Sequence, residues 1–375
     1  MRAIEYSAYG QTPRLVERPV PEPGPGGAVI RVEATGVCRS DWHAWQGHDP
    51  VPLPMVPGHE LAGTISAIGP GVTRFETGQR VTVPFVNGCG HCRQCRSGNA
   101  QVCPNQSQPG FTMPGSWAEY VRIDAADTNL VALPAGVDSV TAASLGCRTA
   151  TAFRALHAHG RVAAGDRVGV FGCGGVGLAA VMIAVAAGAR VAAVDVSPAA
   201  LAAARALGAT WTFLAADAGR SPSAGDAADG VPSDIAVPVG SEPGDFAERI
   251  AGAVVERTGG LDIGLDALGS TDTAAASLLS LGRRGRHLQV GLLLGEAAGL
   301  RVPMDRAVAW ELEVIGSHGM AAADYPALLD AVVDGRLAVD RLVGRRIALE
   351  EAPAALARMG RPGTGAGMTV IDLSL

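Results

Sequence analysis

Six of the seven cysteines in this chain fall into two patterns that are typical of zinc ligands. One pattern is a compact C-x2-C-x2-C-x7-C lobe, residues 87–104, whose members are Cys89, Cys92, Cys95 and Cys103. Four thiolates around one tetrahedral zinc leave no position for a substrate, so the lobe predicts a structural metal site. Cysteines without a shared role, or a redox or iron–sulfur site, are the alternatives for such a lobe.

The second pattern consists of Cys38, His59 and Cys147, which lie far apart in the sequence. Two thiolates and one imidazole form a three-ligand site that leaves the fourth zinc position open for chemistry. Any one of the three would by itself be an ordinary core or loop residue. Their occurrence together with the lobe and with a glycine-rich loop predicts two zinc ions, one catalytic and one structural.

That glycine-rich loop reads Gly172-Cys173-Gly174-Gly175-Val176-Gly177 and satisfies the pattern G-x-G-x-x-G. It follows a predicted strand and opens a predicted helix, and Asp195 ends the next strand eighteen residues after Gly177. Glycines let the backbone approach a pyrophosphate at a helix N-terminus, and an acid at this position binds a ribose hydroxyl. Because a carboxylate repels a 2′-phosphate, the pattern favours NAD over NADP. Cys173 is interpreted as a small loop residue without chemistry.

The composition limits the possible functions. A chain of 375 residues favours two domains, and 48% hydrophobic with 18% charged residues is typical of a globular protein. The net charge of -6, without a basic stripe, argues against nucleic acid as the main partner. All thirty basic residues are arginine, which excludes Schiff-base chemistry and a P-loop lysine.

No apolar signal segment is found in residues 1–10, and no run of eighteen apolar residues predicts a membrane span. Closely spaced cysteines in such a chain favour metal ligation over disulfides. We therefore expect a cytoplasmic protein without a membrane partner.

The elements that position these residues change in character along the chain. The first 150 residues are rich in Pro and Gly and predict a mostly-β domain with strands at Ala28–Glu33, Gly63–Ile68 and Arg80–Pro84. From about residue 165, short apolar strands alternate with Ala-rich helices, which predicts a doubly wound parallel sheet. The predicted elements are strands at Arg167–Phe171, Arg190–Asp195, Leu261–Leu265 and Gly285–Val290 and helices at Gly175–Ala187 and Pro198–Leu207, the latter with Ser197 as N-cap and Gly208 as C-cap.

Two further segments complete this organisation. Residues 217–244 lack periodicity and are interpreted as a surface insertion. The tail carries a predicted helix, Tyr325–Asp334, and an apolar strand, Met368–Leu373, that could return to the first domain.

A longer signature, G-H-E-x2-G-x5-G-x2-V, is met by Gly58, His59, Glu60, Gly63, Gly69 and Val72. With the motifs above, the chain resembles the zinc-dependent alcohol dehydrogenases of the medium-chain dehydrogenase/reductase superfamily over nearly its whole length. The resemblance implies an α/β protein with a GroES-like, mostly-β catalytic domain (1–149), a Rossmann doubly wound parallel-sheet NAD-binding domain (150–317) and a C-terminal segment (318–375) that completes the catalytic domain.

The resemblance also implies roles for further residues. Asp41 would orient the zinc-bound histidine, and Glu60 would be an acid that can reach the metal. Ser40 and His43 would relay the alcohol proton. Arg39 would contact the cofactor pyrophosphate and Thr151 the nicotinamide, and Phe85, Trp117 and Leu292 would line the substrate pocket. A basic residue that relatives often carry near Met368, where it helps to hold the phosphates, is absent, which would leave Arg39 to hold them alone.

The expected function is reversible hydride transfer between NAD and an apolar primary or secondary alcohol, giving an aldehyde or ketone. By resemblance the chain is a homo-oligomer, a tetramer rather than a dimer. A polyol or threonine-type amino-acid dehydrogenase is the main alternative, although polyol enzymes often have glutamate where this chain has Cys147. A zinc-free quinone or enoyl reductase would lack both cysteine patterns, and a non-enzymatic zinc-ribbon protein would need neither the second pattern nor the glycine loop.

Overall fold

The computed structural model describes residues 1–217, 235–239, 245–360 and 367–375, which form two compact units. The first unit combines Met1–Ala150 with His318–Leu375, and the second is Thr151–Ser317. The strands are β1 (Arg2–Glu5), β2 (Arg14–Glu17), β3 (Ala28–Val37), β4 (Leu61–Ile68), β5 (Arg80–Val83), β6 (Tyr120–Ile123), β7 (Val131–Ala132), β8 (Arg167–Phe171), β9 (Arg190–Asp195), β10 (Trp211–Asp217), β11 (Ile235–Val239), β12 (Leu261–Asp266), β13 (Leu281–Gln289), β14 (Glu313–Gly316), β15 (Val343–Ile347) and β16 (Met368–Asp372).

The α-helices are α1 (Arg39–Gln46), α2 (Arg93–Arg96), α3 (Ala126–Asn129), α4 (Ser139–Ala143), α5 (Ala150–Arg154), α6 (Gly175–Ala186), α7 (Pro198–Ala206), α8 (Asp245–Thr258), α9 (Thr271–Leu279), α10 (Met304–Trp310), α11 (Tyr325–Val333) and α12 (Ala352–Arg358). Two π-helical turns, Leu145–Thr149 and Ala155–His159, flank α5. Short 3₁₀ turns lie at Ala100–Val102, Gly295–Gly299, Ala322–Asp324, Val339–Leu342 and Leu349–Glu351. Among the described residues, no helix combines the length and the apolar character that crossing a membrane requires.

The first unit is built on a sheet with the strand order β15-β16-β3-β4-β5-β7, in which β6 also pairs with β3. Strand β3 is the longest member and runs past the predicted Glu33 to Val37, directly before the first candidate metal ligand. The last strand, β16, pairs antiparallel with β3, so the predicted return of the tail to the N-terminal sheet is confirmed. Apolar side chains of β3, β4 and β5 pack in the interior of this unit, because alternate residues of each strand face the same side.

The second unit contains a parallel sheet with the order β11-β10-β9-β8-β12-β13-β14. The predicted doubly wound arrangement is therefore confirmed. Strand β8 lies at the centre of the sheet, between β9 and β12. The predicted bounds of β8 and β9 agree with the structure, and Ser197 caps α7 by accepting a hydrogen bond from the amide of Ala200. Phe171, Val194 and Phe213 are fully or almost fully buried in the core of this unit.

The interpretation of residues 217–244 as an insertion without regular structure is wrong for part of that segment. Asp217 ends β10, and Ile235–Val239 forms β11, which pairs parallel with β10 and lies at the edge of the sheet. Residues 218–234 and 240–244 lie outside the described residues.

Candidate active site

The structure brings the three separated ligand candidates of the first unit together. One ligand atom each from Cys38, His59 and Cys147 lies within 4.8 Å of the other two. A tetrahedral zinc with bonds of 2.0–2.3 Å would need separations of about 3.5–3.8 Å between such atoms. All three side chains are buried, with exposures of 4%, 1% and 9%. The donor set and its spacing therefore fit a zinc ion.

Asp41 positions two of the three ligand residues. Cys38 follows β3 as the N-cap of α1, and its backbone N–H donates to Oδ2 of Asp41 over 2.8 Å. Oδ1 of the same carboxylate accepts from Nδ1 of His59 over 3.0 Å and from the backbone N–H of Gly58 over 3.1 Å. Gly58 has φ +101, and a Cβ atom there would lie 2.3 Å from the Trp117 ring, so only glycine fits this turn.

The bond from Asp41 determines which nitrogen of His59 can bind a metal. Because Nδ1 donates to the carboxylate, Nε2 is left as the ligand atom, and it is buried without a hydrogen-bond partner among the described residues. A carboxylate behind a histidine is a common arrangement around protein-bound zinc, where it fixes the ring and its tautomer. The unsatisfied Nε2 beside two thiols is the strongest indication of a metal site in this unit.

Cys147 is presented by a π-helical turn, Leu145–Thr149. Such turns are rare and occur frequently at functional sites. Buried Tyr325, from α11 in the C-terminal segment, donates its hydroxyl to the carbonyl of Gly146 over 3.2 Å. The tail therefore supports the turn that carries the third ligand.

The charges of these side chains depend on one another. The contact with Cys147 holds the pKa of the Cys38 thiol well below its ordinary value, and the same contact raises that of Cys147. Burial opposes the charge on His59, but the Asp41 carboxylate and the Cys38 thiol together outweigh it and raise the pKa of His59 well above 6.5. Cysteine ligates a metal as the thiolate and histidine as the neutral imidazole, so metal binding at this site must release protons.

Glu60 forms a buried ion pair with Arg148 in this structure. Oε1 of Glu60 accepts from the backbone N–H and from Nε of Arg148 over 3.1 and 3.0 Å, and Oε2 accepts from Nη2. The side chains are 0% and 6% exposed. Arg148 therefore binds both oxygens of Glu60 in this structure, and the expectation that Glu60 can reach the metal stays a prediction.

The residues predicted to relay a proton both lie on α1, Ser40 in its first turn and His43 in its last turn. Ser40 Oγ is 3.9 Å from Sγ of Cys38. His43 is half-buried, and its Nδ1 lies 3.2 Å from Nδ1 of exposed His48. Burial and the neighbouring His48 and Arg39 lower the pKa of His43 below 6.5. The Arg39 guanidinium lies 5.2 Å from the Trp42 ring centroid and donates to the carbonyl of Met359.

The three predicted pocket residues have different surroundings. Phe85 is half-buried, with its ring centroid 6.1 Å from that of His59 and 5.3 Å from that of His318. Trp117 is 0% exposed within an apolar core, and its Nε1 donates to the carbonyl of Gly36 over 3.0 Å. These contacts correct the expectation for Trp117, which packs the interior. Leu292 belongs to the second unit and is 47% exposed.

The four-cysteine lobe also gathers its sulfur atoms within 4.8 Å of one another. Backbone N–H groups of Cys89 and Asn105 donate to Sγ of Cys103 over 3.4 and 3.3 Å, as suits thiolate ligands. The backbone N–H groups of His91 and Cys92 lower the pKa of Cys89 to about 6. These donors fit a second, closed zinc site.

In the second unit, the glycine loop joins β8 to α6 as predicted. Gly172 has φ +91, and a Cβ atom at Gly177 would lie 1.8 Å from the carbonyl oxygen of Gly172, so both positions need glycine. In the part of the chain that the structure describes, a Cβ atom at Gly174 would meet nothing within 4 Å, and no side chain caps the start of α6. The protein itself leaves room and N–H donors here, as a bound pyrophosphate requires. Gly175 and Val176 form the first turn of the helix.

Asp195 ends β9 beside this loop. Its Oδ2 accepts from the backbone N–H of Cys173 over 2.6 Å, and Oδ1 accepts from that of Ser197 over 2.8 Å. The carboxylate is thereby fixed at the carboxyl end of the parallel sheet, where such folds bind ribose. Thr151, also in this unit, has a buried Oγ1 without a hydrogen-bond partner among the described residues.

Sequence reasoning missed three residues that support the metal centres. Arg148 pairs with Glu60, Tyr325 holds Gly146, and buried Asn129 exchanges two hydrogen bonds of 2.8 and 2.9 Å with the backbone of Gly88. The signal available for Arg148 was its place directly after a ligand cysteine, where a charged side chain must find a partner when buried. No local pattern marks Tyr325 or Asn129.

Comparison with known proteins places these features in context. Two family models match: "Alcohol dehydrogenase GroES-like domain" at residues 24–135 and "Zinc-binding dehydrogenase" at residues 175–334. These matches confirm the predicted combination of a GroES-like domain with a Rossmann domain.

Individual relatives agree with the family models. An alcohol dehydrogenase from Moraxella sp. is 39% identical over 218 residues, which are 57% of this chain and 64% of that protein. The matched part thus spans less than two thirds of that relative's length. A sorbitol dehydrogenase from Halalkalibacterium halodurans is 30% identical over 357 residues, 94% of each chain. The solved structure of an alcohol dehydrogenase from Thermus sp. ATN1 matches over 99% of each chain, with a TM-score of 0.83 and 28% identity.

Proposed function

Because the chain belongs to the zinc-dependent alcohol dehydrogenase family of the medium-chain dehydrogenase/reductase superfamily, we propose that it catalyses reversible hydride transfer between an alcohol and NAD, giving an aldehyde or ketone. The observation that carries the proposal is the buried Nε2 of His59, which has no partner among the described residues, beside two thiols and with Asp41 behind the ring. A purely structural zinc site would be closed by a fourth protein ligand, as the cysteine lobe is.

The chain's own residues would hold and support the reacting groups. Zinc at Cys38, His59 and Cys147 supplies Lewis acidity that eases ionisation of an alcohol, and NAD supplies the hydride acceptor. Asp41 keeps the imidazole of His59 in the tautomer that presents Nε2. Ser40, close to Cys38, would accept the alcohol proton, and His43 would pass it towards water.

The proposed cofactor site lies in the second unit. Its pyrophosphate would be held at the start of α6 by Gly172, Gly174 and Gly177, and the ribose by Asp195. Thr151 would contribute its unpartnered hydroxyl near the nicotinamide, and Arg39 would contribute charge to the phosphates. The fixed carboxylate of Asp195 supports NAD rather than NADP, since a 2′-phosphate would face a like charge.

The substrate class is proposed from the walls of the first unit. The ring of Phe85 lies beside His59, as does that of buried Phe111 at a centroid distance of 5.2 Å. Apolar rings next to the metal ligand favour an apolar primary or secondary alcohol, with Leu292 as a further predicted wall. The sorbitol dehydrogenase relative, matched over most of its length, supports polyol oxidation as the second candidate.

We further propose that the first unit is the catalytic domain, residues 1–149 with 318–375, and that residues 150–317 bind NAD. The proposed assembly is a homotetramer, with a dimer as the alternative, which sedimentation would distinguish. The proposed location is the cytoplasm, where reducing conditions keep the thiols available for zinc.

The test combines metal analysis with a substrate panel. The purified chain should hold two zinc ions, bind NADH and reduce NAD with at least one apolar alcohol faster than with sorbitol or threonine. Faster turnover of sorbitol would favour the polyol alternative, and one zinc without NADH binding would refute the enzyme. Asp195→Ala should lower the ratio of kcat/KM with NAD to that with NADP by at least about tenfold, as expected when a like-charge contact that costs several kcal/mol is removed.

A further inference from the structure

Beside the metal-ligand residues lies a buried ion pair that the proposed chemistry does not use. Glu60 directly follows the ligand His59, and Arg148 directly follows the ligand Cys147. The pair joins chain segments 88 residues apart by three hydrogen bonds, and both side chains are almost completely shielded from water. The charges therefore lie next to two of the three ligand residues.

Two glycines make the room for this pair. A Cβ atom at Gly36 would lie 2.1 Å from Oε2 of Glu60 and 3.0 Å from Nη2 of Arg148. A Cβ atom at Gly146 would lie 3.0 Å from Cα of Glu60. Gly36 precedes Cys38 by two residues and Gly146 precedes Cys147, so the segments that carry these two ligand candidates both pack closely against Glu60, the first against its carboxylate and the second against its Cα atom. This close fit indicates that the position of Glu60 is specified.

The pair has a chemical consequence for the metal. A buried carboxylate without a cationic partner is strongly unfavourable, so a freed Glu60 would seek another positive charge. Carboxylate oxygens are good zinc ligands, and the three-ligand site leaves one position open. We propose that Arg148 is a positioning residue that holds the Glu60 carboxylate away from that open position. The open position therefore remains accessible to the alcohol. This inference rests on the proposed function only for its effect on turnover.

The geometry of the contact explains why arginine is needed. Nε and Nη2 of Arg148 bind the two oxygens of Glu60 as a planar fork, while the backbone N–H adds a third bond. Lysine offers one compact ammonium group and cannot make this two-pronged contact. It would keep the buried charge balanced yet hold the carboxylate less firmly.

The experiment compares Arg148→Met, Arg148→Lys, Glu60→Gln and the double variant Arg148→Met/Glu60→Gln. Arg167→Met is the matched control, because Arg167 binds Asp262 of the second unit with the same three donors, its backbone N–H, Nε and Nη2. Two readouts need no alcohol: the rate at which a chelator removes each zinc, and the visible absorption spectrum after Co²⁺ replaces the zinc of the three-ligand site.

We expect Arg148→Met to slow removal of one zinc by at least about tenfold, which corresponds to about 1.4 kcal/mol, because the freed carboxylate would add a fourth ligand. The same change should alter the Co²⁺ spectrum. The kcat should fall, and the double variant should restore the spectrum and the removal rate. Arg148→Lys should be intermediate, and it replaces Arg148→Met in the comparison if the latter does not fold. Faster zinc loss, an unchanged spectrum, or no restoration by Glu60→Gln would overturn the proposal. If the alcohol panel fails, both metal readouts still decide it.

Discussion

Asp41 offers the sharpest test of how the metal centre is built. Its side chain is 0% exposed, and the carboxylate accepts three N–H groups, from Cys38, Gly58 and His59. In Asp41→Asn, the amide oxygen can keep the bonds from Gly58 and His59 only if its NH₂ group faces the N–H of Cys38. Two donors would then meet in a buried place, which costs about 1–3 kcal/mol.

The opposite orientation of the amide is no better. Its NH₂ group would face Nδ1 of His59 and force the proton onto Nε2, which could then not ligate zinc. Either orientation should weaken the catalytic zinc, and losses behind a ligand are typically 10–100-fold in affinity, or about 1.4–2.7 kcal/mol. The two estimates therefore agree in size.

Competition with a chromophoric chelator measures this affinity for each zinc separately. Asp41→Asn should lower the affinity for one zinc ion by about 10–100-fold and leave the affinity of the cysteine lobe for its zinc unchanged. Asp262→Asn is the matched control, since Asp262 also accepts three N–H bonds but lies in the second unit. Affinity within twofold of wild type would refute the reasoning about Asp41, as would equal weakening of both zinc ions.

Three further outcomes are expected. Gly177→Ala should weaken NADH binding, measured by titration, at least about tenfold, because the new Cβ atom would lie 1.8 Å from a loop carbonyl oxygen. The variant should retain two zinc ions, and unchanged NADH binding would contradict the loop assignment. Cys103→Ser should lose one zinc by metal analysis and lower the Tm, since the buried Sγ of Cys103 serves the lobe; two retained zinc ions would contradict this. Burial raises the pKa of Asp262, but the contacts with Arg167 outweigh burial and hold that pKa below 3.8. The ionised Asp262 therefore stabilises the folded protein at neutral pH, and this stabilisation is lost as pH falls through the lowered pKa. Asp262→Asn should therefore cost about 1 kcal/mol or less in unfolding at pH 7, with the difference shrinking below about pH 4; a constant difference would contradict the linkage.

The regular elements of the second unit were largely predictable because their signals are local. Strand β8, strand β9 and helix α7 match the predicted bounds to within one residue. Each signal involves only a few neighbouring residues: short apolar runs predict the strands, and a capping serine and a glycine at the other end predict the bounds of the helix. Strand β11 was not predicted, because a five-residue edge strand within a Gly- and Pro-rich segment carries no comparable local sequence signal.

Burial was less predictable than secondary structure. Trp117 was expected in a pocket wall, yet it lies in the core with its indole N–H bonded to Gly36, 81 residues away. The sequence pattern around an aromatic residue is the same whether the residue lines a pocket or lies in the core. Which of the two occurs depends on the strands that pack around the residue.

The sequence by itself determined the chemistry of the ligands and the cofactor loop. Cysteine, histidine and aspartate carry their reactivity in their side chains, and the glycines carry their conformational freedom in the backbone. Only the tertiary structure decided how these groups are supported. It paired Glu60 with Arg148 across 88 residues and brought Tyr325 to Gly146 across 179. Such contacts depend on strand order and packing, which no local spacing encodes, and they determine where a buried charge finds its partner.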